Sequence, residues 1–377
     1  MLSKLKSFAS RHKKKIIVGG VIVAAGFALR YAQRKLVEYQ EKQVKEFLEK
    51  TRRLQHFEST EKTTDQAIIS LTTGLCESVL KIFDTESILN ELRTNNHNGK
   101  KIELWDELKI LAFAKCTTLV YAISLLVASL RVQLNIIGGY LYKDTLQSTE
   151  KITKDIQTIY SLVLIQHLMG TGLNTLAKII RENVIKVMKT HSLKEKLMLN
   201  DVEQIFWSIQ TSVDKDINKN LVQFILPAEV HHNQQDEILN KMLADSMDVF
   251  ECGDFLEVCE SSINNAFAVV IDKIADFYVE PENGKNKLND HEQEPSTSRG
   301  TSENLILNNN GHVNINTISL PLAKLIPILN ALTSQIPTTN AADNKSSKNL
   351  ASSITILQSL NQHLKTLGAN VYEVYSH

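Results

Sequence analysis

Proline is absent from the first 226 residues of this 377-residue chain, and all six prolines lie between Pro227 and Pro337. Only 14 glycines occur in the whole sequence. Because proline and glycine are the residues that most often break helices, so long a stretch favours extended α-helices over strands and turns. The chain is 43% apolar and can therefore bury a substantial core. We predict an all-α fold, organised as a single large elongated helical bundle.

The amino terminus has the charge pattern of a membrane anchor. Nine basic residues and no acidic residue occur among the first 37 positions, and they bracket the uncharged run Ile16–Leu29. These 14 residues are fewer than the roughly 20 that span a bilayer, but flanking lysines and arginines can lengthen a span with their alkyl stems. No small-residue cleavage site follows the run. We predict a basic flank over 1–15 and a transmembrane anchor over 16–35, with Ile16, Val23 and Leu29 in the bilayer. A removed targeting peptide and a surface-lying helix are the alternatives.

A second apolar segment, Ile110–Leu130, carries Lys115 as its single charge in 21 residues, so it also has the length of a membrane span. A helix that is apolar all round can equally form the centre of a large soluble bundle. We favour a long buried central helix within a cytosolic helical domain over 36–377. A polar stretch over 281–310 is predicted to be a disordered loop, because it has too little apolar surface to pack.

The sequence contains none of the motifs that would indicate an enzyme, such as a phosphate-binding glycine loop or a zinc-binding His-Glu-x-x-His pattern. The four cysteines, at 76, 116, 252 and 259, have no metal-ligand spacing and are interpreted as reduced thiols. From Glu38 onward 33 basic residues stand against 42 acidic ones, a balance of −9. That balance argues against nucleic-acid binding, which relies on clustered positive charge. We predict no catalysis, no metal, no cofactor and no nucleic-acid partner.

The segment around Trp105 has the composition of a site for a partner helix. Leu104 and Leu108 recur at helical spacing beside Trp105, with Lys101 just before them. Far along the chain, Lys324 stands alone in the apolar stretch ISLPLAKLIPILNAL. Tryptophan is also common in protein cores, so a buried structural role remains the alternative. The functional hypothesis is a hydrophobic groove for an amphipathic helix, with Trp105 as the anchor and lysines pairing with acids at the rim.

Several segments together resemble the peroxisomal biogenesis factor 3 (peroxin-3) family. They follow one another from one end of the chain to the other: RHKKK at 11–15, HFES at 56–59, LWDELKI at 104–110, RVQLNIIGGYLY at 131–142, SLPLAKLIPI at 319–328 and ANVYEVYS at 369–376. The resemblance implies an amino-terminal anchor followed by a cytosolic all-helical domain. It also favours the buried central helix over a second span for 110–130.

The resemblance further implies a partner, peroxin-19, the soluble carrier of newly made peroxisomal membrane proteins, which offers an amphipathic helix to a groove at the membrane-distal end. Trp105 matches the family's central tryptophan and Lys324 its groove lysine. The groove is completed by the residues beside them and by Leu92, a looser match because the loop before Lys101 is longer here: Lys101, Leu104, Leu108 and Leu92. Gly138 matches a glycine pair that tolerates no bulky side chain, and we assign structural roles to Gly138, Gly139 and Asn135. From the sequence alone, the glycine pair marks either a close backbone approach or a turn.

Location and further partners are likewise implied by the resemblance. It predicts the peroxisomal membrane, with most of the chain in the cytosol and the endoplasmic reticulum as a route of delivery. It also points to peroxisomal membrane lipid and other peroxins such as peroxin-16. Counting basic residues on the two sides of the anchor favours a cytosolic amino terminus instead. We follow the family arrangement, and keep as alternatives a multi-span membrane protein and a structural tether for organelle-inheritance or autophagy factors.

Overall fold

The computed structural model describes residues 13–94, 98–147, 152–217, 220–227, 236–278, 318–337 and 349–377, with the backbone alone described for 13–25 and Asn98. The side chains of Ile16 and Val23, predicted to lie in the bilayer, and the predicted loop over 281–310 are outside the described residues. Packing divides the chain into two units, Met1–Glu58 and Ser59–His377.

Helix α1, Lys13–Ile82, begins in the first unit. All of its side chains over 26–50 are exposed, among them Phe27 at 71% and Leu29 at 65%. Lys35 pairs with Glu38 at 3.4 Å along this exposed helix surface. The transmembrane anchor over 16–35 stays a prediction, and its helical backbone from Lys13 has the conformation that a span requires.

The second unit is almost entirely helical within the described residues, which confirms the all-α prediction. After α1 the elements are α2 Thr85–Thr94, α3 Asn98–Gln147, α4 Lys154–His167, a π-helical turn Leu168–Gly172, α5 Leu173–Met188, β1 Lys196–Met198, α6 Leu199–Ile217, α7 Val222–Ile225, α8 Glu237–Glu251, α9 Gly253–Ala275, β2 Ser319–Pro321, α10 Leu322–Ser334, α11 Leu350–Leu360 and α12 Gln362–Ser376. The two short strands pair antiparallel, with Lys196 opposite Pro321 and Met198 opposite Ser319. This pairing places the beginnings of α6 and α10 side by side.

Helix α3 forms the centre of this unit. Every residue over 111–133 is buried, and the helices packed around α3 include α2, α5, α8, α9, α10, α11 and α12. Its most apolar stretch is long enough to cross a membrane, yet 94% of that stretch is covered by protein. The prediction of a buried central helix is therefore confirmed, and a second membrane span over 110–130 is contradicted, because neighbouring helices occupy the surface that lipid would need.

The glycine pair is a close approach and not a turn, since α3 runs through both residues without a break. A methyl group on Gly138 would lie 2.8 Å from the side chain of Thr60, and one on Gly139 would lie 2.8 Å from Cβ of Tyr375. Helix α12 and the beginning of this unit therefore pack on α3 through backbone contact that only glycine permits.

A buried ion-pair cluster fastens the same end of α3. Arg131 is fully buried and donates hydrogen bonds to the carboxylates of Glu61 and Asp65, the latter at 2.8 Å. Asn135 adds a bond from Nδ2 to Oε1 of Glu61 at 2.8 Å. The Arg131 guanidinium also donates to the carbonyl of Ser359 on α11, at 3.3 Å. These bonds join α1, α3 and α11, which supports the structural role predicted for Asn135 and assigns a larger one to Arg131.

Candidate partner-binding site

The ammonium group of Lys115 joins α2, α3 and α10, the three helices that carry the predicted site residues. Its Nζ donates to Oγ1 of Thr85 at the start of α2, at 3.3 Å, and to Oδ1 of Asn330 on α10. A further bond reaches Oγ of Ser334 at 3.1 Å, and Thr85 itself bonds Asn330 at 2.8 Å. The sequence showed Lys115 as a lone charge in an apolar run, and the structure gives it a function: it ties α2, α3 and α10 together.

From the Lys115 junction, α2 and α10 extend toward the end of α3 that carries Trp105. Helix α2 leads directly to the residues that precede α3, so both point that way. The loop over 189–195 contacts the other two: His191 O accepts from Nζ of Lys109 at 2.9 Å, and Leu193 O accepts from N of Ala323 at 3.0 Å. At about 1.5 Å per residue, Trp105 lies about 15 Å beyond Lys115, Leu92 about 10 Å beyond Thr85, and Lys324 about 9 Å beyond Asn330. Residues far apart in the sequence therefore lie toward the same end of the second unit.

Trp105 is half-buried and packs against the hydrophobic core, so part of its surface remains accessible. Leu104 and Leu108 are 7% and 1% exposed, so they form the support beneath the surface rather than the surface itself. Ile102, one turn before Trp105, is 61% exposed. The sequence interpretation missed Ile102, although its apolar type within three residues of Trp105 was a usable signal.

Within the described residues, the two predicted rim lysines have no ion-pair partner. Lys101 is half-exposed and Lys324 exposed, and within the described part of the chain neither lies within 4.0 Å of a carboxylate. Leu92, on α2, is half-buried and packs against the core. An apolar surface bordered by free ammonium groups suits a helix with apolar residues on one face and acids at its edges.

Other charged side chains near Trp105 form ion pairs within the fold. Lys109 is 5% exposed and bonds Asp106 at 3.0 Å, which neutralises it at the edge of the core. Lys100 pairs with Glu91 at 2.8 Å, linking α2 to α3 where the two helices meet. On the opposite side, Arg181 of α5 lies 3.7 Å from Glu107. These pairs hold the helices around Trp105, whereas Lys101 and Lys324 form no ion pair with any described residue.

Burial lowers the pKa of Lys115 to about 8, because the ammonium group is taken from water with only neutral oxygens as hydrogen-bond partners. The junction beneath the site therefore holds a cation that is weakly stabilised near neutral pH. The surface above it depends on three hydrogen bonds rather than on an ion pair.

No group of three or more His, Cys, Asp or Glu side chains that could hold a metal ion occurs within the residues that the structure describes. The described cysteines are unpaired thiols, and three of the four are buried.

The chain matches the family model Peroxin-3 in three stretches, over 7–101, 93–166 and 162–374. Peroxisomal biogenesis factor 3 of Rattus norvegicus is 32% identical over 399 residues, which cover 100% of this chain and 98% of the relative. The Homo sapiens protein of that name is 32% identical over 404 residues, with the same two coverages. Peroxisome biogenesis protein 3-1 of Arabidopsis thaliana is 22% identical over 293 residues, covering 70% of this chain and 81% of the relative.

Proposed function

Because this chain belongs to the peroxin-3 family, we propose that it is a docking receptor of the peroxisomal membrane, which binds the carrier peroxin-19 through an amphipathic helix. Its role lies in peroxisome biogenesis and membrane-protein import, and the family is one of biogenesis factors rather than a known class of enzyme. Binding of the carrier brings newly made membrane proteins to the bilayer, where they can insert.

The observation that supports this proposal is that Trp105, Leu92 and Lys324 lie toward the same end of three helices that Lys115 joins. A half-buried tryptophan that packs on the core while part of its surface stays accessible is the type of residue that anchors protein interfaces. Apolar side chains of an incoming helix would each contribute roughly 1.5–3 kcal/mol on burial. Lys101 and Lys324, unpaired within the described residues, would pair with acids at the edge of that helix.

In this arrangement the anchor over 16–35 holds the chain at the peroxisomal membrane and 36–377 extends into the cytosol. Membrane lipid and other peroxins such as peroxin-16 would be further partners. Receptor function requires that peroxin-19, a soluble protein, can reach the Trp105 surface. A structural tether for inheritance or autophagy factors would have no need of this surface, so the same experiment separates the two.

The test is titration of the full chain, held in lipid nanodiscs, with a peptide of the amino-terminal peroxin-19 helix. We expect Trp105→Ala to weaken binding by on the order of 2–4 kcal/mol, roughly 30- to 1,000-fold, because the indole is the anchor. Trp207→Ala is the matched control, since Trp207 is 60% exposed and lies on α6, and it should leave the affinity unchanged. Unaltered affinity in the Trp105 variant would refute the anchor role.

A further inference from the structure

A groove follows the seam between α6 and α9. These helices are antiparallel, because Glu203 near the start of α6 lines the same cavity as Asp272 near the end of α9, while Ile217 shares a second cavity with Glu257. The cavities have volumes of about 580 Å³ and 420 Å³. Gln210 lines both and bonds across the seam from Nε2 to Oδ1 of Asn264, at 2.6 Å.

The floor of this groove is apolar and rigid. Phe206 and Phe267 are nearly buried, with ring centroids 5.9 Å apart, and they rest on the central helix. Phe206 packs on Phe113 at 5.2 Å, and Phe267 packs on Tyr121 at 6.0 Å. The second cavity continues the apolar lining with Ile217, Leu221, Leu256 and Ile263. Because α3 supports both halves, the groove is preformed rather than opened by a partner.

Trp207 stands at the edge of the first cavity with 60% of its surface exposed. An indole held on a rigid helix and largely open to solvent is costly to leave hydrated and is typical of interface anchors. Trp105 and the other residues of the candidate partner-binding site line neither cavity. The groove is therefore a separate surface.

Every ionisable side chain that lines the two cavities is a carboxylate: Glu203, Asp214, Glu257, Glu260 and Asp272. Within the described residues none of the five lies within 4.0 Å of a Lys or Arg nitrogen. Asp214 accepts a hydrogen bond from the hydroxyl of the buried Tyr121 at 2.6 Å, which fixes its carboxylate at the groove. Five uncompensated negative charges along an apolar floor repel anions and attract a cationic, amphipathic ligand.

The length of the groove selects the kind of ligand. From Glu203 to Ile217 the seam spans about 21 Å at 1.5 Å per residue, which matches four turns of a helix lying along it. The negative rim excludes nucleic acid and anionic lipid surfaces, which would need the opposite charge. We propose that the groove between α6 and α9 is a second docking site, which binds a basic amphipathic helix of about 14 residues from a protein partner.

The experiment uses the fact that this chain has two tryptophans, Trp105 and Trp207. In the Trp105→Phe protein the fluorescence reports on the α6/α9 groove alone, and in the Trp207→Phe protein it reports on the candidate partner-binding site alone. The probe is a synthetic 14-residue helix with leucines on one face and lysines on its flanks, without tyrosine or tryptophan. The full chain is held in zwitterionic nanodiscs, and empty discs supply the blank.

We expect the lysine probe to shift Trp207 emission to shorter wavelength and to leave Trp105 emission unchanged. Its affinity should fall several-fold when the salt concentration is raised from 0.05 to 0.3 M, as screening predicts. The same probe with glutamate in place of lysine should bind at least tenfold more weakly. Equal binding of the two probes, or a response of Trp105 instead of Trp207, would overturn the proposal.

Charge reversal supplies the matched variants. Glu260→Lys at the groove should lower the affinity for the lysine probe roughly tenfold. Glu373→Lys, a charge reversal at an exposed position on α12, should change that affinity less than twofold. Equal effects of the two variants would overturn the site. Reversible dimerisation that Glu260→Lys abolishes, with no binding of the probe, would assign the groove to a second copy of the chain and refute a separate partner. Binding of the peroxin-19 helix, read from Trp105, is independent of all these outcomes.

Discussion

Among the described residues of the central helix two cations, Arg131 and Lys115, are fully buried, and the protein stabilises them in opposite ways. Arg131 is fully buried with Glu61 and Asp65 as charged partners, and it fastens α1, α3 and α11. Lys115, about 24 Å away along the helix axis, is fully buried, and its partners among the described residues are three neutral oxygens. One end of α3 is therefore locked by compensated charge, while the end that carries Trp105 is held by hydrogen bonds to a cation that burial disfavours.

This difference predicts how the stability of each end of α3 responds to substitution and to pH. Removing one member of a buried ion pair leaves an uncompensated charge, which costs more than removing a hydrogen bond. The Arg131 end should therefore be the more sensitive to substitution. The Lys115 end should be the more sensitive to pH. Stability is best measured on residues 38–377, which the burial of α3 predicts to remain in solution without detergent.

The largest effect is expected for Arg131→Ala. It leaves the Glu61 and Asp65 carboxylates facing each other without a cation, so we expect a loss of about 3 kcal/mol in the free energy of unfolding. Urea unfolding followed by circular dichroism measures it. Arg131→Lys keeps the charge and loses the forked geometry, and it should lose about half as much. A change below about 1 kcal/mol for Arg131→Ala would show that packing, and not charge, locks this end.

A smaller effect, dependent on pH, is expected at Lys115. Its pKa is lowered from 10.5 to about 8, so between these values the unfolded chain binds a proton that the folded chain does not. The contribution of Lys115 to the free energy of unfolding therefore increases as pH rises through that window, by about 2 kcal/mol between pH 7 and pH 9.5. The wild type should gain this amount relative to Lys115→Met.

Comparison with Lys115→Met is needed because other ionisable groups lower the free energy of unfolding as the pH rises above 9. Burial raises the pKa of Cys76 to about 12, for example, so the folded state loses stability as the unfolded thiol ionises. That loss is common to both proteins and cancels in the difference. A difference between wild type and Lys115→Met that stays constant from pH 7 to pH 9.5 would contradict the proposed state of Lys115.

The smallest effect is expected for Asp65→Asn. The Asp65 side chain is 42% exposed, whereas that of Glu61 is 15% exposed, so water already stabilises much of the Asp65 charge. We expect a loss of about 0.5 kcal/mol, in the range of exposed ion pairs. Glu61→Gln is the matched substitution and should cost more, because Glu61 also accepts from Asn135. Equal losses for Asp65→Asn and Glu61→Gln would mean that the two carboxylates stabilise Arg131 to the same extent.

Residue pattern alone determined the fold class and the presence of a long apolar helix, because the absence of proline over 226 residues is a local property of the chain. It also placed Trp105 beside Leu104 and Leu108, since their spacing follows from helix geometry. It left open whether 110–130 faces lipid or protein. The apolar residues are the same in both cases, and only the neighbouring helices decide.

Tertiary structure decided what the isolated residues do. The sequence could not show that Thr85, Lys115 and Asn330 share one junction, because they lie on three helices separated by up to 245 positions. For the same reason the sequence did not indicate the acidic groove between α6 and α9, whose facing carboxylates come from separate helices. Periodicity predicts which face of a helix is buried, but the partner of that face, and the gaps left between partners, depend on how the whole chain packs.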